Sequence, residues 1–317
     1  MGHVQGHGGA SVLRRVRSVI AAAACISGIA TAQVTVSTAP TNVDTSGMSA
    51  NGLYYRISGR PGADWVVLIH GFGVDLHMWD AQMAALNAQF HVLRYDLPSH
   101  GKSPTPPQHQ PGWRDLQELM DQLQITKANL VGLSAGANIA VDFAVVMPER
   151  VERLVLASPN IDGYVPKENM MTWFGPIAAQ ARAGHPDSAA ALYARAPLLK
   201  LWANRSTQPT LTALVLANAH VWTDTLPRKA PLTPPALAQL GKIASPTLVI
   251  VGGHDGADTK AIADTLAKAI TGAAFVMFVN SGHVLNMDQP AKFDSALVKF
   301  LGKKASRSER EKVEAVA

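Results

Sequence analysis

The sequence feature that most constrains the fold is a Gly-Leu-Ser-Ala-Gly pentapeptide at residues 132–136, which lies between an apolar run at 128–131 and a helix-like run at 137–144. A serine in a sharp turn from strand to helix has an exposed hydroxyl, and the helix N-terminus behind it supplies partial positive charge. The glycines on either side leave room for neighbouring backbone. The pattern predicts a nucleophile elbow centred on Ser134; the alternative is an ordinary glycine-rich turn.

Strand-like and helix-like segments alternate along most of the chain. An early alternating strand is predicted at residues 52–57, and apolar runs typical of buried strands occur at 65–69 and 153–158. Further strands are predicted at 91–96, 246–251 and 274–279. Helical spacing at residues 113–123 and a closing helix at 290–301 complete the pattern. This alternation predicts an α/β fold with a doubly wound, mostly parallel sheet.

The alternation stops between about residues 161 and 230, where Ala and Leu are frequent and β-branched runs are few. We therefore expect a helical cap over residues 161–230, inserted into a single core formed by residues 51–160 and 231–302. Residues 33–50 are rich in Ser, Thr, Ala and Pro and are predicted to form a flexible leader. Residues 303–317 are charged, and we expect a mobile tail.

The N-terminal residues 1–32 have the pattern of an export signal. Three arginines within residues 14–17 precede a short apolar segment at 19–30, and Ala-Thr-Ala at 30–32 fits a cleavage site. The prediction is a cleavable signal peptide and a secreted or periplasmic protein, with a buried N-terminal helix as the alternative. The single cysteine, Cys25, lies inside this segment, so the mature chain would contain no thiol.

Charge and hydropathy argue against two classes of partner. The formal net charge is +5, but without residues 1–32 the chain has 25 basic and 23 acidic residues. Such a balance gives no support for nucleic-acid binding, which requires a clustered basic face. After the signal, no stretch of the sequence is long and apolar enough for a transmembrane helix, so we expect no stable membrane anchor in the mature chain.

Two further side chains are candidates for activating a serine, because a hydroxyl becomes a good nucleophile only beside a base that an acid orients. Asp255 and His283 each follow a predicted strand, and ligands of open α/β sheets bind outside the carboxyl ends of the strands. They could therefore meet Ser134. Asp258 is the alternative acid and His254 the alternative base, although His254 is adjacent to the acid in sequence.

Acyl transfer also requires donors for the oxygen of the tetrahedral intermediate. The turn supplies the backbone N–H of Ala135, and the loop after the strand at residues 65–69 can supply that of Phe72. Gly71 and Gly73 allow this loop to pass close to the site. We expect His70 to orient this loop without touching the reacting atoms, rather than to act as a base.

These motifs together resemble the α/β-hydrolase fold superfamily, in its cap-bearing esterase, lactonase and carbon–carbon hydrolase branch. The resemblance covers residues 53–301 and is carried by the His-Gly-Phe-Gly sequence at 70–73, the segment at 95–103, the pentapeptide, Asp255 and the Gly-His pair ending at His283. It implies Ser134 as nucleophile, His283 as base and Asp255 as its partner, with Phe72 and Ala135 as oxyanion donors.

The chain departs from this family pattern at two places. Ser99-His100 stands where an Arg often precedes the Gly, and Ala137 stands where a second Gly often follows the turn. These departures weaken assignment to any one subfamily. Ser134 argues against the dehalogenase and epoxide-hydrolase branches, which use an aspartate at this position.

The function expected from the sequence is an exported serine hydrolase that cleaves an ester or lactone through an acyl-enzyme, without cofactor or metal. Carbon–carbon bond hydrolysis or cofactor-free peroxidase-type chemistry on the same fold is the first alternative, and a non-catalytic ligand-binding protein is the second. An apolar substrate pocket is predicted at Trp173, Trp202, Trp222 and Met170; the alternative is packing of the cap on the core. The natural substrate and the oligomeric state stay open.

Overall fold

The computed structural model describes residues 42–224 and 232–302. The strands within these ranges are β1 (Val43–Met48), β2 (Tyr54–Gly59), β3 (Trp65–Ile69), β4 (His91–Tyr95), β5 (Ala128–Leu133), β6 (Val151–Ala157), β7 (Thr247–Gly252) and β8 (Ala274–Phe278). They form one described sheet of eight strands in the order β1-β2-β4-β3-β5-β6-β7-β8. β3 to β8 run parallel, and only the β1–β2 and β2–β4 pairs of this sheet are antiparallel.

The described α-helices are α1 (Met83–Asn87), α2 (Gly112–Gln122), α3 (Ala135–Val146), α4 (Met171–Arg182), α5 (Pro186–Tyr193), α6 (Gln208–Ala217), α7 (Ala257–Ala269), α8 (Leu285–Asp288) and α9 (Pro290–Leu301). Short 3₁₀ segments lie at Leu76–Gln82, Pro148–Arg150, Pro197–Leu199, Arg205–Thr207, Ala219–Thr223 and Ala236–Lys242.

The central parallel strands of the sheet are covered on both faces, which explains their continuous apolar runs. The edge strand β8 is an exception, because most of its residues are exposed. In β3, for example, Val67 and Ile69 pack in one buried cluster with α2, α3 and α7. Val66 and Leu68 face the opposite way and pack with α1, α9 and the helices between β6 and β7. The predicted doubly wound α/β architecture is confirmed.

The inserted helical cap is also present. Helices α4, α5 and α6 and several 3₁₀ segments lie between β6 and β7. Buried cap residues such as Ile177, Tyr193 and Val215 share a hydrophobic cluster with the sheet, so the cap and the core are packed together. The structure describes the cap as far as Asp224; the predicted end of the cap at residues 225–230 lies outside the described residues.

The prediction of a flexible leader is wrong for its final part. Strand β1 pairs in register with β2, from Val43 opposite Gly59 to Met48 opposite Tyr54. An edge strand is stabilised by backbone hydrogen bonds, and most side chains of β1 are exposed. The hydrophobic pattern therefore carries no signal for it. The rest of the leader, the signal peptide and the charged tail lie outside the described residues.

The order of the central strands determines where a ligand can bind. From β3 the chain passes to β4 on one side and then crosses to β5 on the other side of β3. Between the carboxyl ends of β3 and β5 the outgoing loops diverge and leave a crevice. The loop at residues 70–73 and the turn at Ser134 border this crevice. In the described ranges, no helix combines the length and apolar character needed to cross a bilayer.

Candidate active site

Ser134 lies in the turn between β5 and α3, with φ 56° and ψ −114°. This is the left-handed half of backbone space, which a serine adopts only when the surrounding structure enforces it. Its N–H donates to the carbonyl of Ala157 at 3.0 Å, and its own carbonyl accepts from the N–H groups of Ala137 and Asn138 at 3.0 and 3.1 Å. The turn is thus anchored to β6 on one side and begins the helix on the other.

The glycines that flank the turn are required by space. A Cβ atom at Gly132 would overlap the carbonyl of Gly136. A Cβ atom at Gly136 would overlap the carbonyl oxygen of Ile69 and lie 2.7 Å from that of His70. Backbone atoms cannot move aside as a flexible side chain can, so the turn and the end of β3 pack together only with glycine at these positions.

The structure brings His283 and Asp255 together from the loops after β8 and β7. Nδ1 of His283 lies 2.9 Å from Oδ1 and 3.0 Å from Oδ2 of Asp255. Burial alone would raise the pKa of Asp255, but the charge of His283 and the hydrogen bonds to the carboxylate outweigh it, so the pKa lies below its ordinary value of 3.8. An ionised Asp255 orients the ring and leaves Nε2 free to act.

Nε2 of His283 is buried and has no hydrogen-bond partner among the described residues. His283 and Ser134 line the same small cavity, whose volume is about 10 Å³, and Gly71, Phe72 and Val284 also contribute to its wall. That volume is close to the room required by one water molecule. The serine and the histidine with the unpaired ring nitrogen therefore border one space, as a proton transfer between them would require.

The two alternatives weighed from the sequence have other partners. Asp258 accepts hydrogen bonds from the Tyr164 hydroxyl at 2.9 Å and from the N–H of Glu168 at 2.8 Å, so it holds the beginning of the cap. His254 stacks on Trp202 with 3.9 Å between ring centroids. The geometry pairs His283 with Asp255.

The loop at residues 70–73 is held by the imidazole of His70. Its Nε2 accepts the N–H of Leu97 at 2.9 Å, so Nδ1 carries the proton and donates to the carbonyl of Gly71 at 2.7 Å. Burial lowers the pKa of His70 to about 4, although the bond to Gly71 opposes this shift. A neutral ring with both nitrogens occupied is suited to hold the loop, and it is a poor base.

One candidate oxyanion donor, Phe72, belongs to this loop, and the other, Ala135, follows Ser134. Ala135 is the first residue of α3, so its N–H has no acceptor inside the helix. Phe72 lines the small cavity with Ser134, and both Phe72 and Ala135 border a second cavity of about 390 Å³. The catalytic roles of Ser134, Asp255 and His283, and the oxyanion roles of the Phe72 and Ala135 N–H groups, stay predictions.

Comparison with known proteins identifies the family to which this fold and this site belong. A model of the alpha/beta hydrolase family matches residues 66–296. The chain belongs to the alpha/beta hydrolase family.

Several alpha/beta hydrolase relatives resemble the chain over most of its length. The enol-lactonase from Burkholderia xenovorans, a solved structure, is 28% identical with a TM-score of 0.66, over 82% of this chain and 100% of that one. The 3-oxoadipate enol-lactonase 1 of Acinetobacter baylyi is 26% identical over 76% of this chain and 90% of that enzyme.

A third relative is longer than this chain. The dihydrolipoyllysine-residue acetyltransferase component of the acetoin cleaving system of Cupriavidus necator is 30% identical over 252 residues, which are 76% of this chain. The chain spans only 64% of the length of that protein.

Sequence patterns missed two residues that hold the loop at residues 70–73 of this alpha/beta hydrolase. Tyr193, at the end of α5, donates its hydroxyl to the carbonyl of Phe72 at 3.2 Å. Nε2 of His100 accepts the N–H of Gly73 at 3.2 Å, and Nδ1 of the same ring donates to the carbonyl of Pro98 at 2.8 Å. His100 was visible as a departure from the family pattern, whereas nothing in the Ala-rich sequence around Tyr193 indicates its contact.

The four residues predicted to form a substrate pocket divide into two groups. Trp173 and Met170 line a cleft of about 660 Å³, which is also bordered by Asp255 and His283. Trp222 is buried and packs edge-on against Phe72, with ring centroids 5.3 Å apart. Trp222 and Trp202 therefore pack against other aromatic rings, while Trp173 and Met170 border the cleft. Contact of any of the four with a substrate stays a prediction.

Proposed function

We propose that the chain is an exported serine hydrolase that cleaves a carboxylic ester or lactone through an acyl-enzyme. The observation that carries this proposal is the pair formed by His283 and Asp255: Nε2 of His283 has no described partner, and His283 lines the same small cavity as Ser134, which lies in a strained turn. Nucleophile, acid and base occur along the chain in the order Ser, Asp, His, as in the alpha/beta hydrolase pattern.

The proposed reaction proceeds in two steps, acylation of Ser134 and hydrolysis of the acyl-enzyme. Nε2 of His283 takes the hydroxyl proton while Oγ of Ser134 bonds to the carbonyl carbon, and the carbonyl oxygen becomes an anion at the N–H groups of Phe72 and Ala135. Collapse of this intermediate releases the alcohol, which receives the proton from His283. Water then attacks the acyl-enzyme by the same route, giving the acid and free Ser134.

The substrate class is supported by the relatives and by the cleft. Two of the relatives described above are named enol-lactonases. The cleft of about 660 Å³ has apolar walls at Met170, Trp173 and Leu198 and reaches His283. An apolar acyl or alcohol group of a small molecule fits such a wall, with the scissile carbonyl at the cavity beside Ser134.

The decisive experiment is labelling with an organophosphonate, which reacts with activated serines. The wild-type chain is expected to gain one phosphonyl group, and Ser134→Ala and His283→Ala are expected to gain none. Mass spectrometry of the intact protein measures this. Undiminished labelling of Ser134→Ala would remove Ser134 from the proposed role.

A substrate panel then distinguishes ester or lactone cleavage from the other reactions. We expect hydrolysis of p-nitrophenyl esters or lactones to exceed that of vinylogous diketones, which are carbon–carbon hydrolase substrates. Tight binding of a product without hydrolysis of any compound in the panel would instead support a ligand-binding protein.

Export is proposed from the sequence of residues 1–32. Expression of the full chain in a bacterium, followed by N-terminal sequencing of the periplasmic and secreted fractions, is expected to give a mature protein beginning at Gln33. Recovery of only the full-length chain from the cytoplasm would refute it.

A further inference from the structure

A buried carboxylate that the proposed reaction does not use lies five residues after the candidate base. Asp288 ends α8 and is only 1% exposed. Its Oδ2 accepts the N–H of Gly282 at 2.8 Å and the hydroxyl of Ser281 at 3.1 Å. The residue immediately before His283 is thus tied to this carboxylate.

The same carboxylate binds a segment of the cap. Its Oδ1 accepts the N–H groups of Ala203 at 2.8 Å and Asn204 at 2.9 Å, and the N–H of Trp202 lies 3.0 and 3.1 Å from the two oxygens. Hydrogen bonds to an ionised acceptor are stronger than those between neutral groups. Asp288 therefore joins residues 202–204 of the cap to the loop that carries His283.

The cap segment also covers the loop that carries Asp255. The indole of Trp202 stacks on His254 with an interplanar angle of 11°, and Nζ of Lys200 lies 4.0 Å from the centroid of the indole. Gly282 lies beneath this stack, where a Cβ atom would be 2.6 Å from the carbonyl oxygen of Lys200 and 2.9 Å from the Trp202 ring. The N–H of His254 donates to the carbonyl of Ser281 at 2.9 Å, so the two loops are linked to each other as well.

We propose that Asp288 is a positioning residue that holds the loop of His283 to the cap, so that docking of the cap places Nε2 against Ser134. This inference rests on the proposed role of His283 as base. A misplacement of about 1 Å in a reacting group can cost about 100-fold in rate. Loss of the carboxylate is expected to affect the rate of the chemical step more than substrate affinity, because Asp288 is not among the residues that line the described cleft.

A matched control exists elsewhere between the cap and the core. Asp75 is a buried carboxylate that accepts the side-chain amide of Asn218, a cap residue, at 2.9 Å. Asp75→Asn weakens a cap–core contact by the same chemical change as Asp288→Asn, and Asp75 has no described contact with the loop of His283.

The experiment compares Asp288→Asn with Asp75→Asn in thermal unfolding, in steady-state hydrolysis of a p-nitrophenyl ester and in proton NMR. The NMR readout is the low-field signal of the proton between Nδ1 of His283 and Asp255. We expect Asp288→Asn to lower kcat by about tenfold or more with KM changed less than about threefold, and to shift or broaden this signal. We expect Asp75→Asn to lower the Tm but to leave kcat and the signal unchanged.

Three other outcomes can be distinguished from this result. Equal losses of Tm in both variants, with kcat and the NMR signal of Asp288→Asn unchanged, would reduce Asp288 to a structural role. If Asp288→Asn does not fold, Ser281→Ala removes one donor from the carboxylate, and an unchanged kcat and signal in that variant would overturn the inference. If the wild-type chain hydrolyses no ester, the proposed function fails, whereas the NMR comparison still tests the positioning of His283.

Discussion

The turn that carries Ser134 and the loop that carries His283 border one cavity, but different interactions hold them. The turn is fixed by its own backbone: Ser134 is held in left-handed conformation, and Gly136 passes so close to the end of β3 that no side chain fits. The loop of His283 also contains a glycine with no room for a side chain, Gly282, but two carboxylates hold it in addition, Asp255 on the ring and Asp288 on the preceding residue.

The difference determines which substitutions should disrupt each half of the site, that is, the turn of Ser134 or the loop of His283. Close packing of backbone around a glycine is disrupted by added volume, whereas the contacts of a carboxylate are disrupted by loss of its charge even when the volume is kept. Substitutions that separate charge from volume therefore test whether the two halves are held as described.

The largest effect is expected from Asp255→Asn, which keeps the volume and removes the charge beside His283. The ring would lose the partner that fixes its tautomer, and kcat/KM is expected to fall by about 10⁴-fold. Ester hydrolysis measures this, and circular dichroism should show a folded protein. Asp264→Asn, which changes an exposed carboxylate paired with Lys268 on α7, is the control and should leave kcat/KM unchanged. A loss of kcat/KM of less than tenfold in Asp255→Asn would contradict the proposal that this carboxylate holds His283 as the base.

The converse change, in volume without charge, is Gly136→Ala. Because the new Cβ would meet the carbonyl groups of Ile69 and His70, the free energy of unfolding is expected to fall by about 3 kcal/mol. Urea titration measures it. Gly241→Ala is the matched control, since a Cβ atom at Gly241 meets nothing within 4 Å. Equal free energies of unfolding in the two variants would show that the backbone of the turn can move to accommodate the added Cβ atom.

The same difference explains which features the sequence could predict. Ser134 and its glycines form a local pattern, because the glycines that the turn requires lie two residues before and two residues after the serine, although the backbone at Ile69 that Gly136 approaches is distant in sequence. The buried strands were predictable for a similar reason, since burial on both faces leaves a continuous apolar run. Asp288 was not predictable, because its donors lie in residues 202–204 and 281–282, and one acid at the end of an apolar segment does not reveal its partners. Strand β1 was missed because its side chains are mostly exposed.

Acid should disturb the loop at residues 70–73 and the loop of His283 at different pH values. The pKa of His70 is lowered to about 4 from 6.5, so the unfolded chain binds this proton at a higher pH than the folded chain, and stability is lost as the pH falls from 6.5 to 4. The pKa of Asp255 is also lowered, so its contribution is present above the ordinary value of 3.8 and is lost only below it. As the pH falls, the stabilising contribution of His70 to the loop at residues 70–73 should therefore be lost before that of Asp255.

His70→Asn tests this order. Between pH 6.5 and 4, the free energy of unfolding of the wild-type chain is expected to fall about 1.4 kcal/mol per pH unit more steeply than that of the variant. Urea titrations at four pH values measure the slopes, and parallel slopes would mean that His70 does not resist protonation in the folded chain.

The smallest effect is expected from Asp142→Asn in α3, the helix that begins after Ser134. Burial, assisted by the charge of Asp162, raises the pKa of Asp142 to about 7, so the folded chain holds a proton between pH 3.8 and 7 that the unfolded chain releases. Stability from this group is therefore lost as the pH rises, and the asparagine, which mimics the protonated acid, should be more stable than wild type at pH 8 by about 2 kcal/mol. The gain should vanish near pH 4. Since the turn is held by its own backbone, kcat at pH 8 should not change when the helix behind it is stabilised. A changed kcat would mean that the turn depends on α3 as the loop of His283 depends on the cap, and the distinction between the two halves would no longer hold.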